Sequence, residues 1–401
     1  MRTTWTFHTA GKLVFGSEAC AQLGELVAEL GCRKVMIVSD RSLVAAGVFE
    51  TVREPLAHSG VALKLFDGGE PEPSIDLAER AIAKARSFDP DALLGLGGGS
   101  NMDLAKIVAT VLAHGGTPRD YVGDGNIPGP VLPLVCVPTT SGTGSEVTAA
   151  SVLTDTAHHM KVGVLSNYLR PRLAVVDPKL TLSCPRKVTA DSGIDALTHA
   201  IEAYTAVDNE TFPVPSGERS VYQGRHPLGD CLAEKAIALV GQHLVRAVEE
   251  PKNLAAREGM SLAATIAGLA FSNVGVALVH AMEYPLGGAT HCSHGAGNGL
   301  LLPFVMRFNL PGRERQLARI AQLLGENTAG LCDVDAAQLA VTAVEKLKRA
   351  IGIPERLREL GVTRDQLPAM AEKAAAVKRI LRVNPRPVTV ADIERIYAEA
   401  L

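Results

Sequence analysis

Net charge is what this 401-residue sequence has little of: 40 Lys and Arg stand against 43 Asp and Glu, for a net charge of −3. It has no basic stripe and no Arg-rich run interleaved with aromatics, so nucleic acid is not an expected partner. Paired cysteines are also lacking. The seven cysteines are scattered and odd in number, with no Cys-x2-Cys pair, which argues against a disulfide framework and for reduced thiols in a cytoplasm. The opening residues, Met1-Arg2-Thr3-Thr4-Trp5-Thr6-Phe7-His8, contain no apolar signal core. Internal repeats and low-complexity tracts are absent as well. One long apolar run does occur, from Leu262 to Met282, about the length of a membrane span. It carries Thr265, Ser272, Asn273 and His280 and is dense in Ala and Gly. It therefore reads as a closely packed buried helix that delivers His280, and no membrane partner is expected.

What is present is enough apolar residue, 47%, for substantial cores, in a chain long enough that two domains are the default. The first half alternates. Val35-Met36-Ile37-Val38, Ala92 to Leu96, Leu134 to Val137 and Leu173 to Val176 are short apolar runs; Ile75 to Ala85 and Met102 to Leu112 have helical spacing. This pattern predicts a parallel sheet with helices on both faces. A hairpin is expected between the later strands, with Asp155-Thr156-Ala157-His158-His159 at its turn. After Cys184-Pro185 helical spacing dominates. The expected division is an α/β domain over 1–185 and an all-α domain over 186–401. Asn209 to Gly229, rich in Pro, Gly and Ser, is expected to be a surface loop.

Two loops in the first half have chemistry suited to a dinucleotide. Gly97-Gly98-Gly99-Ser100-Asn101-Met102-Asp103 follows a strand and opens a helix; glycines admit a pyrophosphate, and the helix start supplies N–H donors. Pro138-Thr139-Thr140-Ser141-Gly142-Thr143-Gly144-Ser145-Glu146 also follows a strand and offers hydroxyls. Either loop by itself is equally a tight turn or a capping segment. Asp40, ending the first strand, is placed to accept ribose hydroxyls or to cap the next helix. The acid precedes the glycines, so this is not the usual G-x-G-x-x-G order.

In the second half, Asp195 and His199 lie four apart in Asp191 to Glu202, and His280 and His294 bracket a Gly- and Pro-containing stretch. On a helix, positions i and i+4 share a face. An isolated Asp-x3-His pair is usually a helix-surface pair, but a carboxylate with three imidazoles suits Fe, Zn, Mn or Ni rather than Mg or Ca. Four protein ligands leave positions open for a substrate oxygen.

Nearly end to end, the chain resembles the iron-dependent (group III) alcohol dehydrogenase family. The resemblance rests on the Gly-Gly-Gly-Ser-x-x-Asp loop at Gly97 to Asp103, the Thr-Thr-x-Gly-Thr-x-Ser-Glu loop at Thr139 to Glu146, and the set Asp195, His199, His280 and His294. It implies an N-terminal dinucleotide domain, a helical metal-binding domain, and a cleft between them holding metal and nicotinamide. NAD and Fe(II) are the implied cofactors, a small alcohol, aldehyde or hydroxy acid the implied substrate, and a homodimer the implied assembly. Asp40, Gly98, Gly99, Ser100, Asp103, Thr139, Thr140, Thr148, Lys161 and Leu180 are the candidate cofactor residues. The metal set with Tyr284 forms the candidate catalytic group. Tyr284 stands where many members carry a second histidine, a candidate proton relay, and Glu72 replaces an Asn of the turn near the cofactor.

Tyr284 and the Tyr222 to Pro227 loop also resemble the hydroxyacid–oxoacid transhydrogenase branch, for which Arg225 is the candidate carboxylate partner. Dehydroquinate synthase and glycerol-1-phosphate dehydrogenase share the implied architecture. Their substrates call for a basic cluster, however, for which Arg186, Lys187 and Arg225 are the only candidates. An NAD-binding protein without turnover would have no use for the metal set.

Overall fold

The computed structural model describes residues 2–156 and 160–401. The apolar runs of the first half form β2 (Lys34–Val38), β4 (Ala92–Gly97), β6 (Leu134–Pro138) and β9 (Leu173–Val176). β1 (Lys12–Phe15) and β3 (Ala62–Phe66) form the two edges of a six-stranded sheet in the order β1-β9-β6-β4-β2-β3. Every pairing in it is parallel. Side chains alternate across the pleat, so Met36, Val38 and Leu93 enter one apolar cluster, while Val35, Ile37 and Leu94 enter another. Residues of α4 (Ile75–Phe88) and α5 (Gly99–His114) fill the first cluster; residues of α1 (Leu23–Glu29) and α3 (Val48–His58) fill the second. Burial on both faces is why the strands read as unbroken apolar runs.

A short helix, α2 (Arg41–Ala45), follows β2. A second, three-stranded sheet joins β5 (Gly123–Asp124), β8 (Met160–Leu165) and β7 (Ala150–Asp155). β7 and β8 pair antiparallel, as a hairpin requires; residues 157–159 of its expected turn lie outside the described residues.

The helical half comprises α6 (Arg186–Thr205), α7 (Pro227–Glu249), α8 (Leu254–Val274), α9 (Leu278–Thr290), α10 (His294–Asn309), α11 (Glu314–Leu323), α12 (Asp333–Ala350), α13 (Leu367–Ala375), α14 (Lys378–Leu381) and α15 (Val390–Ala400). α6 is buried along most of its length and packs against α7, α8 and α10. The single helix expected over Leu262 to Met282 is instead two, α8 and α9, meeting at 105°. The break is at Gly275, whose φ of +124° disfavours a side chain and whose absent Cβ would come 2.7 Å from Val383. Among the described residues, no single helix is long and apolar enough to cross a membrane.

The chain divides into two compact units: His8–Cys184 with Arg219–Val221, and Pro185–Glu218 with Tyr222–Leu401 and the N-terminal segment through Phe7. This differs from 1–185 and 186–401 in two short segments. The N-terminal one groups with the helices because Arg2 N–H donates to Glu210 O, Thr6 N–H donates to Gln223, and Trp5 stacks on His226 at 4.5 Å. The loop read as surface is anchored too: Phe212, Tyr222 and His226 are buried.

Candidate metal centre and dinucleotide loops

The metal candidates stand on three helices. α6 presents Asp195 and His199 one turn apart. The bend at Gly275 redirects the chain so that His280 falls in the first turn of α9. His294 is the first residue of α10, whose N-terminus is capped by the Ser293 hydroxyl. α10 reaches α6 because Gly295 has no side chain; a Cβ there would lie 2.0 Å from Asp191 O.

Asp195 Oδ1 lies 3.9 Å from His280 Nε2 and 4.0 Å from His294 Nε2, and the donor atoms of the three residues all lie within 4.8 Å of one another. Two donors at about 2.0–2.2 Å from a shared ion can be at most about 4.4 Å apart, so the spacings from Asp195 fit one. His199 lies against this set rather than within it, with its Nδ1 3.9 Å from Asp195 Oδ2 and its ring stacked on Phe271 and His280. Asp195 and His280 are buried, whereas the His294 side chain is 31% exposed, leaving one open side. Burial alone would push the Asp195 carboxyl up; the neighbouring His199, His294 and His280, with the Asn298 hydrogen bond, hold it below the ordinary aspartate value.

Around the ligand atoms sit partners that sequence reasoning gave no role. His280 Nδ1 is 2.6 Å from Glu202 Oε2, and His294 Nδ1 hydrogen-bonds Glu283. Each contact turns Nε2 toward Asp195. Asn298 Nδ2 lies 2.8 Å from Asp195 Oδ1, 3.2 Å from His280 Nε2 and 3.1 Å from His294 Nε2, while its buried Oδ1 has no hydrogen-bond partner. Converging acceptors call for a cation or a donor at their centre, and imidazole with carboxylate suits a divalent transition metal.

In the α/β unit, Asp40, the glycine loop and Thr139 all lie at carboxyl ends of parallel strands, the usual place for a ligand in such sheets. Asn101 Nδ2 donates to Asp40 Oδ2 (2.9 Å) and to Leu96 O (3.0 Å), tying the acid to the glycine loop. Thr139 N–H donates to Gly97 O, and a Cβ on Gly99 would meet Thr143 at 2.8 Å, so the two loops abut. Gly98 precedes α5 with no side-chain cap, so that helix start carries backbone N–H donors of the kind that suit an anion.

Two family models match the chain: "Iron-containing alcohol dehydrogenase" over residues 10–178, and "Fe-containing alcohol dehydrogenase family, C-terminal" over residues 218–401. The NAD-dependent methanol dehydrogenase of Bacillus methanolicus is 36% identical, covering 97% of each chain. Long-chain-alcohol dehydrogenase 1 of Geobacillus thermodenitrificans is 38% identical, covering 96% of this chain and 94% of its own. A solved 1,3-propanediol oxidoreductase superposes with a TM-score of 0.93 at 36% identity, over 99% of this chain and 100% of that one. The chain belongs to the iron-containing alcohol dehydrogenase family.

Within this member of the family, the expected cofactor residues divide. Asp40, Gly98, Gly99, Ser100, Thr139 and Thr140 gather at the strand ends. Lys161 connects to them through Glu72: its Nζ lies 2.8 Å from the Glu72 carboxylate, and Glu72 N–H donates to Ser100 Oγ. Asp103 and Thr148 are drawn instead into a buried network. The Asp103 carboxylate accepts from Ser145 Oγ and Val152 N–H, and Lys106 Nζ donates to Thr148 Oγ1. Asp103 thus supports the loop from beneath. The side chain of Leu180 is buried in the apolar cluster that includes α1 and α3. Tyr284 lies near the open side, its ring 6.4 Å from that of His294.

Arg225 does not offer the carboxylate clamp expected of it. Its guanidinium already holds Asp230 through Nε and Nη2 and Asp208 through Nη1. That is the satisfied arrangement a half-buried arginine favours, and it gives the transhydrogenase reading no support from Arg225.

Proposed function

We propose that this chain is a metal-dependent oxidoreductase that moves hydride between NAD(H) and a small alcohol or aldehyde, and that it works as a homodimer. The observation that supports the reading most is the convergence of Asp195, His280 and His294 within 4.8 Å, with His199 beside them. A divalent ion held there by Asp195, His280 and His294 would supply Lewis-acid activation of an alcohol or carbonyl oxygen, and bound NAD(H) would supply the hydride chemistry. The chain's own residues hold these groups. Asp195 contributes charge, while His280 and His294 contribute neutral Nε2 atoms whose Nδ1 protons are engaged elsewhere. The glycine loop and the start of α5 receive the phosphates, and Asp40 receives the ribose. The partly exposed edge of His294 and nearby Tyr284 mark where substrate enters. The fold's task is to keep the reacting carbons within about 3–3.5 Å.

Turnover of a panel of alcohols, aldehydes and hydroxy acids, with NAD and with NADP, tests the reading. The expected result is metal-dependent, NAD-linked turnover of short alcohols and aldehydes. Bound NAD(H) with no turnover of any member of the panel would contradict it.

A further inference from the structure

The three ligand-bearing helices are interlocked through their ligands. On α6, Glu202 lies three residues beyond His199 and reaches His280 of α9. On α9, Glu283 lies three residues beyond His280 and reaches His294 of α10. On α10, Asn298 lies four residues beyond His294 and returns to Asp195 of α6. Spacings of three and four keep each pair on one helix face, so every helix offers a ligand to the centre and a second group to its neighbour's ligand.

Glu202 does more than touch an imidazole. Its Oε1 accepts from Val279 N–H at 2.6 Å, and its Oε2 accepts from Ala277 N–H at 2.8 Å as well as from His280 Nδ1. The start of α9 lacks a side-chain cap of its own, and Glu202 supplies one from another helix. One carboxylate therefore fixes both the origin of α9 and the ring of the ligand in its first turn. Glu202, Glu283 and Asp195 are all nearly or wholly buried. Buried acids need compensation, and three of them around the imidazoles favour a divalent cation at the centre.

We propose that Glu202 and Glu283 are positioning residues that set metal affinity. Each accepts the Nδ1 proton of its histidine, fixing the tautomer and ring plane that aim Nε2 at the metal, and Asn298 closes the ring back to Asp195. This rests on the metal reading above. Removing a carboxylate that orients a ligand histidine typically weakens metal binding by about 10–100-fold.

The test is to prepare the metal-free protein and the variants Glu202→Gln, Glu283→Gln and His280→Ala, and to titrate each with Zn(II) against a competing chelator. Co(II) spectra and the thermal unfolding of each metal-free form accompany the titrations. The expected result is Zn(II) affinity lowered by about 10–100-fold in both Gln variants, an altered Co(II) ligand-field spectrum, and metal-free unfolding close to that of the parent. Glu202→Gln also weakens a helix cap; if it unfolds early, Glu283→Gln decides. Parent-like affinity and Co(II) spectrum in Glu283→Gln, with affinity lost in His280→Ala, would overturn the proposal while leaving the metal site standing. Parent-like affinity in His280→Ala would overturn both.

Discussion

Lys106 offers a sharp test of how the second dinucleotide loop is held. Its side chain is wholly buried, and Nζ donates to Ser145 O (2.8 Å), Ser145 Oγ (2.8 Å), Thr148 Oγ1 (3.1 Å) and Ala150 O (2.8 Å), with Asp103 at 3.7 Å. Burial pulls the lysine down and pushes Asp103 up; each partly restores the other. Lys106→Met fills the space but leaves the buried Asp103 carboxylate without its counter-charge and two backbone carbonyls, Ser145 O and Ala150 O, without the ammonium donor. Breaking a buried pair from one side costs about 3–5 kcal/mol. At about 2–4 °C per kcal/mol for a unit of this size, Tm should fall by roughly 6–20 °C. NAD affinity should fall as well, because Ser145 and Thr148 anchor the loop that begins at Thr139. Adding Asp103→Asn removes the stranded charge, so the double variant should be more stable than the sum of the single effects by about 1–3 kcal/mol. Thermal unfolding by circular dichroism and NAD titration by fluorescence read both effects. A Tm within two degrees or so of the parent, or strict additivity, would refute the assignment of Lys106 as the post beneath the loop.

Asp40→Gly should relax the preference for NAD over NADP by roughly ten- to hundred-fold in kcat/KM, the equivalent of about 1.5–3 kcal/mol. Stability should change little: Asp40 caps α2 through Ser42 and Leu43 N–H, and a Gly cap costs only a few tenths of a kcal/mol. Equal kcat/KM with both cofactors in the parent would contradict the role of Asp40. Lys348, buried beside Phe304, is lowered by burial from 10.5 to about 8. Between those values the unfolded chain binds the extra proton, so stability rises with pH across that window. Lys348→Met should therefore stabilise the protein at pH 7 by about 1–3 kcal/mol, with the gain fading by pH 10; denaturant titrations showing the same difference at both pH values would exclude it. Light scattering at micromolar concentration should report a dimer, since β1 is an edge strand with Leu13 and Phe15 partly exposed and open edges invite pairing.

Much of the sheet is readable because strands buried on both faces must be apolar throughout, as in Val35 to Val38 and Ala92 to Leu96. β3 is not among the strands read from sequence. It is an edge strand carrying Lys64 in its middle, and its exposure alternates, so its pattern is short and mixed. The break in the long apolar run depends on one backbone angle at Gly275, and composition cannot distinguish a buried bent pair from a single helix. In the site, residue type together with the family resemblance marks Asp195, His199, His280 and His294 as candidate ligands, and the structure brings the donor atoms of Asp195, His280 and His294 within 4.8 Å of one another. Glu202 and Glu283 stand in the same stretches of sequence, yet nothing local separates a carboxylate that orients a neighbouring helix's imidazole from one on a solvated face. Asn298 becomes visible only once α10 lies on α6. Arg225 reads as a free cation in a loop until Asp208 and Asp230 are seen to hold it.

The central claim is that these donors bind one catalytic divalent metal, and elemental analysis of purified His280→Ala beside parent and His291→Ala tests it most directly. His291 is exposed and ends α9 in a left-handed conformation, so its variant controls for loss of a nearby histidine. The account predicts stoichiometric metal and full turnover in the parent, both nearly unchanged in His291→Ala, and both lost in His280→Ala. Full metal occupancy with undiminished turnover in His280→Ala would contradict it.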